Sequence, residues 1–442
     1  MRRSLAVAGG AVVACVLAGA PLHAQGSSVD QHGACMSGRV GAGVALPCDD
    51  ASAVYFSPAG LASTPTTISL GAAIIRSSNV FRYDPAMVPG DGTLSVERKP
   101  EWKAVPQGYL NYRVTPRLAA GVGVFFPYGL GLKWPVCDAA TPNCGKENFE
   151  GRFTGYDNEL RGMYVQPTVA YQVLPGRLSV GAGLAYVMGS IDVNRRLTGP
   201  AALGLGTTEI ADLHLQGDGT GTAYHLSAIG QLDGRTSLGV RYLSSAEIDL
   251  DGDADFTQIS TGNAGVDGLI ASALPGNQGV ASNLEFPAQL VVGLAHAHSD
   301  ALRLFLDYQR TYWSSFDALP VDFETAPDES LELNYSDANA FRVAAEYDAT
   351  EAMVLRAGFR YNEAATPHAS PFLPEGERNY YSLGLGYRVT PALSTDFSFQ
   401  YVNQPDRAGV LVPGGPRAGV YEATGLVFNF TLAYRFGGSA SY

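Results

Sequence analysis

Phe428-Asn429-Phe430-Thr431-Leu432-Ala433-Tyr434-Arg435-Phe436 is the stretch that decides the fold. Every second residue is large and apolar, and those between are Asn, Thr, Ala and Arg. A period of two belongs to a β-strand whose two faces meet different surroundings. The pattern recurs upstream. Phe397, Phe399 and Tyr401 oppose Asp396, Ser398 and Gln400, and Leu383, Leu385 and Tyr387 oppose Ser382, Gly384, Gly386 and Arg388. Leu302, Leu304, Leu306 and Tyr308 oppose Arg303, Asp307 and Gln309, and Phe341, Val343 and Tyr347 oppose Arg342 and Glu346. Such strands suit a wall with hydrocarbon outside and a polar interior.

The segments between strands come in two lengths. Short polar turns follow Tyr112, Tyr171 and Tyr387 as Arg113-Val114-Thr115-Pro116, Gln172-Val173-Leu174-Pro175 and Arg388-Val389-Thr390-Pro391. Others lie at Asp233-Gly234-Arg235, His298-Ser299-Asp300 and Tyr347-Asp348-Ala349-Thr350, making six. Pro, Gly, Asp and Thr fix or tolerate turn dihedrals. Between them lie seven long Gly/Asp/Ser/Pro-rich stretches, roughly 77–103, 134–158, 198–220, 248–285, 318–336, 365–377 and 406–421. Six turns and seven loops join fourteen strands. Short turns at one end and long loops at the other are the build of bacterial outer-membrane barrels, and the tyrosines before the short turns read as an aromatic girdle. Closure is required because an unpaired strand edge in hydrocarbon is costly.

Composition agrees. Charged residues make up 16% of the 442, with 52 Gly and 23 Tyr. Soluble chains carry about 25% charged residues. Residues 1–24 read as a signal peptide: Arg2 and Arg3, an apolar run from Leu5 to Ala20, and Leu22-His23-Ala24 before a mature start at Gln25. Without them 27 Lys and Arg face 42 Asp and Glu, a net charge of about −15 that argues against nucleic acid as a partner. Cys35, Cys48, Cys137 and Cys144 then remain, in an exported chain where oxidation is permitted. Of three connectivities, short loops favour Cys35–Cys48 and Cys137–Cys144. The cysteine spacing does not suggest a metal site, and nothing points to a cofactor.

Residues 25–63 do not alternate. They hold Gly38-Arg39-Val40-Gly41-Ala42-Gly43 and Asp49-Asp50-Ala51-Ser52-Ala53-Val54-Tyr55-Phe56-Ser57-Pro58-Ala59-Gly60-Leu61-Ala62. A barrel of fourteen strands leaks if empty, and a Gly-rich segment of about forty residues suits a plug. The run Gly38 to Ala62 resembles the N-terminal hatch of the FadL/TodX (OmpP1) family of outer-membrane long-chain fatty acid and hydrocarbon transporters. The family mark is an acidic pair followed by Asn-Pro-Ala; here Asp49 and Asp50 precede Ser57, Pro58 and Ala59, with serine replacing asparagine. Tyr128-Gly129-Leu130, Gln166-Pro167-Thr168-Val169-Ala170-Tyr171, Leu178-Ser179-Val180-Gly181-Ala182-Gly183, Trp313-Ser314-Ser315-Phe316 and Leu355-Arg356-Ala357-Gly358 are similar to family blocks. The expected architecture is all-β: a fourteen-stranded antiparallel transmembrane barrel over 64–436, a hatch over 25–63 and a short tail at 437–442.

The third strand carries Phe125-Phe126-Pro127-Tyr128-Gly129 in mid-run. Proline gives its neighbour no N–H, so the wall is weakened at that point. The resemblance implies a lateral window at Phe126, Pro127, Tyr128 and Gly129; a plain bulge is the alternative. Arg195 shares a face with Ile191 and Val193, and the resemblance implies contact with a ligand carboxylate. The acidic run Asp249, Asp251, Asp253 and Asp255 within 247–255 lacks EF-hand spacing and reads as a solvated loop, with a bridging divalent ion as the alternative. His296 and His298 share a strand face without a telling partner, and no Gly-x-Ser-x-Gly is present.

The resemblance implies passive passage of a hydrophobic small molecule by a monomer, with outer-membrane lipid, lipopolysaccharide and barrel-assembly machinery as partners and no enzyme activity. A nonspecific porin or adhesive barrel and a barrel hydrolase are the competing readings. The mature chain is expected to stay folded only in detergent or lipid. Sedimentation after extraction checks this: a monodisperse, detergent-free soluble form would overturn the fold.

Overall fold

In hydrocarbon no water satisfies a backbone N–H or C=O, so a sheet that crosses it has to pair every edge. The computed structural model describes residues 28–85, 94–98, 100–137, 149–200, 204–206, 208–374, 376–413 and 415–437. Fourteen antiparallel strands form one closed barrel. They are β1 (Thr67–Tyr83), β2 (Glu101–Arg113), β3 (Leu118–Lys133), β4 (Asp157–Leu174), β5 (Leu178–Thr198) and β6 (Glu209–Gln231). β7 joins Thr236–Leu243 to Ala246–Gln258, and β8 joins Gln278–Phe286 to Gln289–Ala297. β9 joins Leu302–Thr311 to Ala318–Phe323, and β10 joins Glu329–Glu332 to Ala338–Asp348. β11 (Met353–Asn362), β12 (Arg378–Arg388), β13 (Leu393–Val410) and β14 (Arg417–Arg435) complete the wall. β14 returns to β1 in unbroken register from Thr67↔Arg435 to Tyr83↔Gly419, which removes the last edge.

The six short turns all lie at one end. Their repeated threonine has a local task. The Thr115 hydroxyl accepts from Arg117 N at 3.2 Å and Leu118 N at 3.0 Å, and Thr390 accepts from Ala392 N at 3.3 Å and Leu393 N at 3.0 Å. A hydroxyl thereby replaces the missing ladder partner, and the proline that follows it needs none.

Burial is inverted relative to a soluble sheet. Leu383, Leu306 and Phe430 are at least half exposed, whereas Asn429, Thr431, Ser398 and Gln400 on the opposite faces are buried. Tyr112, Tyr171, Tyr347 and Tyr387 stand outward beside the short turns, as a girdle requires. Residues 28–66 run inside the barrel. They form α1 (Ala34–Gly38), α2 (Ala53–Phe56) and a 3-10 turn Pro58–Ala62, all buried. Residues 1–27, with the expected signal peptide, lie outside the described residues, as do 438–442.

The long connections are shorter than the sequence suggests. β1 runs on to Tyr83, β6 starts at Glu209, β7 extends to Gln258, β8 starts at Gln278, and β13 and β14 reach Val410 and Arg417. The acidic run is therefore strand and not loop. Asp249, Asp251 and Asp253 point outward, while Ile248, Leu250 and Ala254 are buried inward. These extensions rise past the apolar band into water, where the outward face has no need of apolar residues and the alternation changes from apolar/polar to acidic/apolar. Among the described residues no group of three or more His, Cys, Asp or Glu is placed to hold a metal ion.

Two equally exposed leucines separate lipid from water as solvent. Leu383 is 63% exposed on the mid-wall of β12, and Leu269 is 66% exposed on the helix Ala264–Ala273 of the long connection after β7. Leu383→Arg is expected to lower barrel stability by about 2–4 kcal/mol and Leu269→Arg by less than about 0.5 kcal/mol, read from denaturant unfolding in lipid vesicles.

Candidate functional site

The inward polar residues hold the segment that fills the lumen. That segment has little regular structure, so its backbone groups need partners from the wall. Gln107 Oε1 accepts from Gly33 N at 2.7 Å, and Thr431 Oγ1 accepts from Ala34 N at 2.8 Å. Asp307 Oδ2 accepts from both Gly43 N at 2.8 Å and Val44 N at 3.0 Å. In the other direction Gln400 donates to Ser37 O at 2.7 Å, Ser382 to Gly38 O at 2.8 Å and Gln166 to Val54 O at 2.9 Å. These contacts come from β2, β14, β9, β13, β12 and β4, on all sides of the barrel.

Charges enter the lumen in balanced groups. Asp30 lies 3.0 Å from Arg342 and 2.5 Å from Arg360, and accepts from the Tyr55 hydroxyl at 2.7 Å. Glu346 lies 2.5 Å from Arg356, 2.9 Å from Arg303 and 4.0 Å from Arg39, and Arg356 also reaches Asp396 at 2.6 Å. Arg241 donates to Tyr55 O at 3.1 Å and to Gln289 at 3.0 Å. A lone buried charge costs several kcal/mol, and these groups leave none of their central charges alone.

The motif residues are spread through this packing. Asp49 stands at the short-turn end, 3.5 Å from Arg435. Asp50 is buried and accepts from Ser52 N at 3.0 Å and Ser52 Oγ at 2.5 Å, while burial pushes its carboxyl above the usual range. Ser57 is extended, Pro58 opens the 3-10 turn, and Ala59 N donates to Ser227 Oγ at 2.6 Å. Gly181 on β5 makes that approach feasible: a Cβ there would lie 2.3 Å from Ala59 N. Cys35 and Cys48 form a disulfide. Cys137 is also disulfide-bonded, and Cys144 lies outside the described residues.

β3 is where the wall departs from regularity. Its ladder to β2 stops at Gly108↔Val124, and its ladder to β4 is interrupted between Phe125↔Tyr164 and Tyr128↔Gly162. From Phe125 to Leu132 every residue is buried, so neither face of this half-strand meets lipid. Its open edge is covered from within, since Val29 N donates to Pro127 O at 2.8 Å and Ser28 bridges Tyr128. Tyr128 stacks on Phe286 at 4.9 Å, donates to Pro287 O at 2.5 Å and accepts from Gln289 at 2.9 Å. Phe126, Pro127 and Tyr128 thus meet the start of the hatch. Arg195 is elsewhere, at the outer mouth, ion-paired with Glu329. Beneath it Ile191, Val193, Leu215, Leu250 and Leu319 line an apolar cavity of about 40 Å³.

Sequence reasoning placed Arg342 on a polar strand face without a partner, and missed Asp30, Arg360, His32 and Glu329. The inward charges of Arg342 on β10 and Arg360 on β11 were the one signal that a hatch carboxylate such as Asp30 must meet them.

The family model for outer membrane protein transport proteins (OMPP1/FadL/TodX) matches residues 14–436. The chain belongs to this family. Outer membrane protein P1 of Haemophilus influenzae is 26% identical over 404 residues, 83% of each chain. The 47 kDa outer membrane protein of Pasteurella multocida is 26% identical over 390 residues, 83% of this chain and 84% of that one. A FadL homologue of Pseudomonas aeruginosa has the same fold, with TM-score 0.78 and 22% identity over 93% of this chain and 100% of that one. The Pseudomonas putida toluene transporter TodX gives TM-score 0.69 at 18% identity, covering 92% and 99%. The protein resides in the outer membrane of a Gram-negative bacterium, where the short-turn end of such barrels faces the periplasm. In this FadL/TodX family member residues 28–66 occupy the lumen.

Two hatch groups respond to pH in different ranges. Burial alone would raise the Asp30 carboxyl, but Arg360, Arg342, Tyr55 and Arg241 hold it far below the usual range. Its docking contribution is present at neutral pH and lost only as pH falls through that depressed value. His32 packs against Tyr55 at 4.6 Å and Phe125 at 5.9 Å; burial pushes it down to about 4, against the pull of Asp30. A depressed histidine favours docking above its free value of 6.5, and that contribution fades as pH falls to about 4. Ion conductance across planar bilayers should therefore rise between pH 6.5 and 4, and His32→Gln should flatten the response. Asp30→Ala leaves Arg342 and Arg360 uncompensated, weakens docking by about 3–5 kcal/mol, and should raise conductance at pH 7.

Proposed function

We propose that this protein carries hydrophobic small molecules, long-chain fatty acids or related hydrocarbons, passively from the cell surface to a lateral exit in its own wall. The observation that carries the reading is the seam between β2 and β3. Above Gly108↔Val124 these neighbours no longer pair, while residues 28–66 block the axial route. An apolar solute moving sideways trades one apolar environment for another. Moving down the axis it would cross the charged groups around Asp30 and Glu346. Desolvation of the solute is favourable by about 0.8 kcal/mol per methylene, so no energy source is needed for downhill flow.

In this reading residues 25–63 are the hatch, residues 64–436 the barrel, and Phe126, Pro127, Tyr128 and Gly129 the window. Asp49, Asp50, Ser57, Pro58 and Ala59 fix the hatch against the wall. Arg195 receives a carboxylate head at the outer mouth after leaving Glu329, and the apolar cavity beneath widens as the chain enters. The protein works as a monomer without enzyme activity, among outer-membrane lipid and lipopolysaccharide, after insertion by barrel-assembly machinery. The relatives named as a FadL homologue, a toluene transporter and a monoaromatic hydrocarbon channel support the substrate class.

Phe126→Arg tests the exit. Uptake of a labelled fatty acid or aromatic hydrocarbon into cells should fall at least about tenfold, since a charge in the apolar exit path costs a passing apolar solute more than about 1.4 kcal/mol. Unchanged uptake by a folded variant would sink the lateral route. Arg195→Ala should weaken binding of a fatty acid but not of toluene, and Glu329→Gln, which frees the guanidinium, should tighten fatty acid binding by on the order of tenfold. Isothermal titration in detergent distinguishes these outcomes.

A further inference from the structure

The Cys35–Cys48 disulfide sits in the hatch segment and lines a cavity of about 220 Å³ at the short-turn end of the barrel. Ser394, at the start of β13, and Arg435, at the end of β14, share that cavity, so it opens on the periplasmic side. Both cysteines are buried, at 4% and 6% exposure, within the main apolar cluster, yet both line that cavity. Arg39 Nη2 lies 2.5 Å from Cys48 Sγ and 3.9 Å from Cys35 Sγ, and Arg39, Arg303, Arg356, Glu346 and Asp396 form the polar wall around them. A guanidinium against one sulfur of a disulfide favours the thiolate form of that sulfur and makes it the better leaving group. The loop closed by the bond contains Gly43 and Val44, whose N–H groups are anchored on Asp307.

We infer that Cys35–Cys48 is a thiol–disulfide exchange site, that its co-substrate is a periplasmic dithiol, and that reducing it loosens the periplasmic corner of the hatch. A thiolate of the dithiol attacks Cys35 Sγ. The Cys35–Cys48 bond breaks, and its electron pair goes to Cys48 Sγ beside Arg39. The second thiol of the reductant, after losing its proton, attacks its own sulfur in the mixed disulfide and releases Cys35. Two electrons pass to the cysteine pair, the reductant ends as a disulfide, and its two protons finish on Cys35 and Cys48. The loosening rests on the reading of residues 28–66 as the closing element, whereas the exchange does not.

The test uses the full mature chain in detergent and in planar bilayers. Dithiothreitol is added at neutral pH, free thiols are captured with a maleimide, and labelled peptides are identified by mass spectrometry. Retention of the folded barrel is checked by its heat-modifiable gel mobility. Cys35 and Cys48 should be labelled while the barrel stays folded. Arg39→Gln should slow their reduction severalfold and Arg39→Lys should restore most of the rate, a pattern that a structural arginine would not give. Dithiothreitol added to the periplasmic side should raise the frequency of channel openings severalfold. The double variant Cys35→Ser, Cys48→Ser should already show the raised frequency and respond no further, which excludes the disulfide at Cys137. Labelling only after heat unfolding would overturn the exchange site. Labelling of the folded barrel without any change in openings would overturn the loosening of the hatch while leaving the exchange chemistry standing.

Discussion

Everything in this structure follows from the need to pair each backbone N–H and C=O where water is absent. Closure of β14 onto β1 meets that need for the wall and fixes what the side chains can do. One face of every strand is left to lipid, so Leu383, Leu306 and Phe430 stay out, and polar groups turn inward. The lumen therefore becomes a ring of unpaired donors and acceptors too wide to be filled by the wall itself. A chain with little regular structure of its own is what such a ring can bind. The hatch has many free backbone groups, and Gln107, Asp307, Ser382, Gln400 and Thr431 take them up one by one.

The charges obey the same logic at higher stakes. An arginine facing a closed lumen needs a carboxylate or other acceptors beside it, and the carboxylates are divided between wall and hatch. Asp30 comes from the hatch to Arg342 and Arg360, while Glu346 comes from the wall to Arg39 of the hatch. Removing the hatch would therefore leave cations of β10 and β11 facing one another in a narrow space. Electrostatics hold the plug in register, and they also make its release sensitive to anything that neutralises a partner. Hydrophobic packing contributes at Tyr55, Phe56 and Leu61, which are buried against β3 and β4 residues such as Phe125 and Tyr164.

Fold and family were legible in the sequence because they rest on local periodicities. Alternation shows within a single strand such as 428–436, and the turn threonines Thr115 and Thr390 work within three residues. The favoured Cys35–Cys48 pairing needed only a short loop. The strand extensions were harder, because in water a strand may carry Gly and Asp and still pair, so 248–258 looks like loop and is strand. The candidate site was least legible where partners are far apart in the chain. Asp30 and Arg342 are 312 residues apart, and no spacing announces them. Arg195 was placed inward by alternation alone, but Glu329, across the mouth, lies in a stretch expected to be loop.

Pro127 shows how the constraint on pairing shapes the weakest part of the wall. Beyond Val124 the edge of β3 has lost β2, and a bare edge in the membrane is too costly to persist. It persists because Val29 pairs with Pro127 from inside the lumen, and because Tyr128 folds its side chain inward onto Phe286 and Pro287. The weakest part of the wall is thus completed by the start of the plug. On the proposed function, a solute passing between β2 and β3 would have to displace that contact, and a hatch leaving the lumen would have to give it up. An axial and a lateral opening would then be coupled through one pair of backbone atoms, Val29 N and Pro127 O.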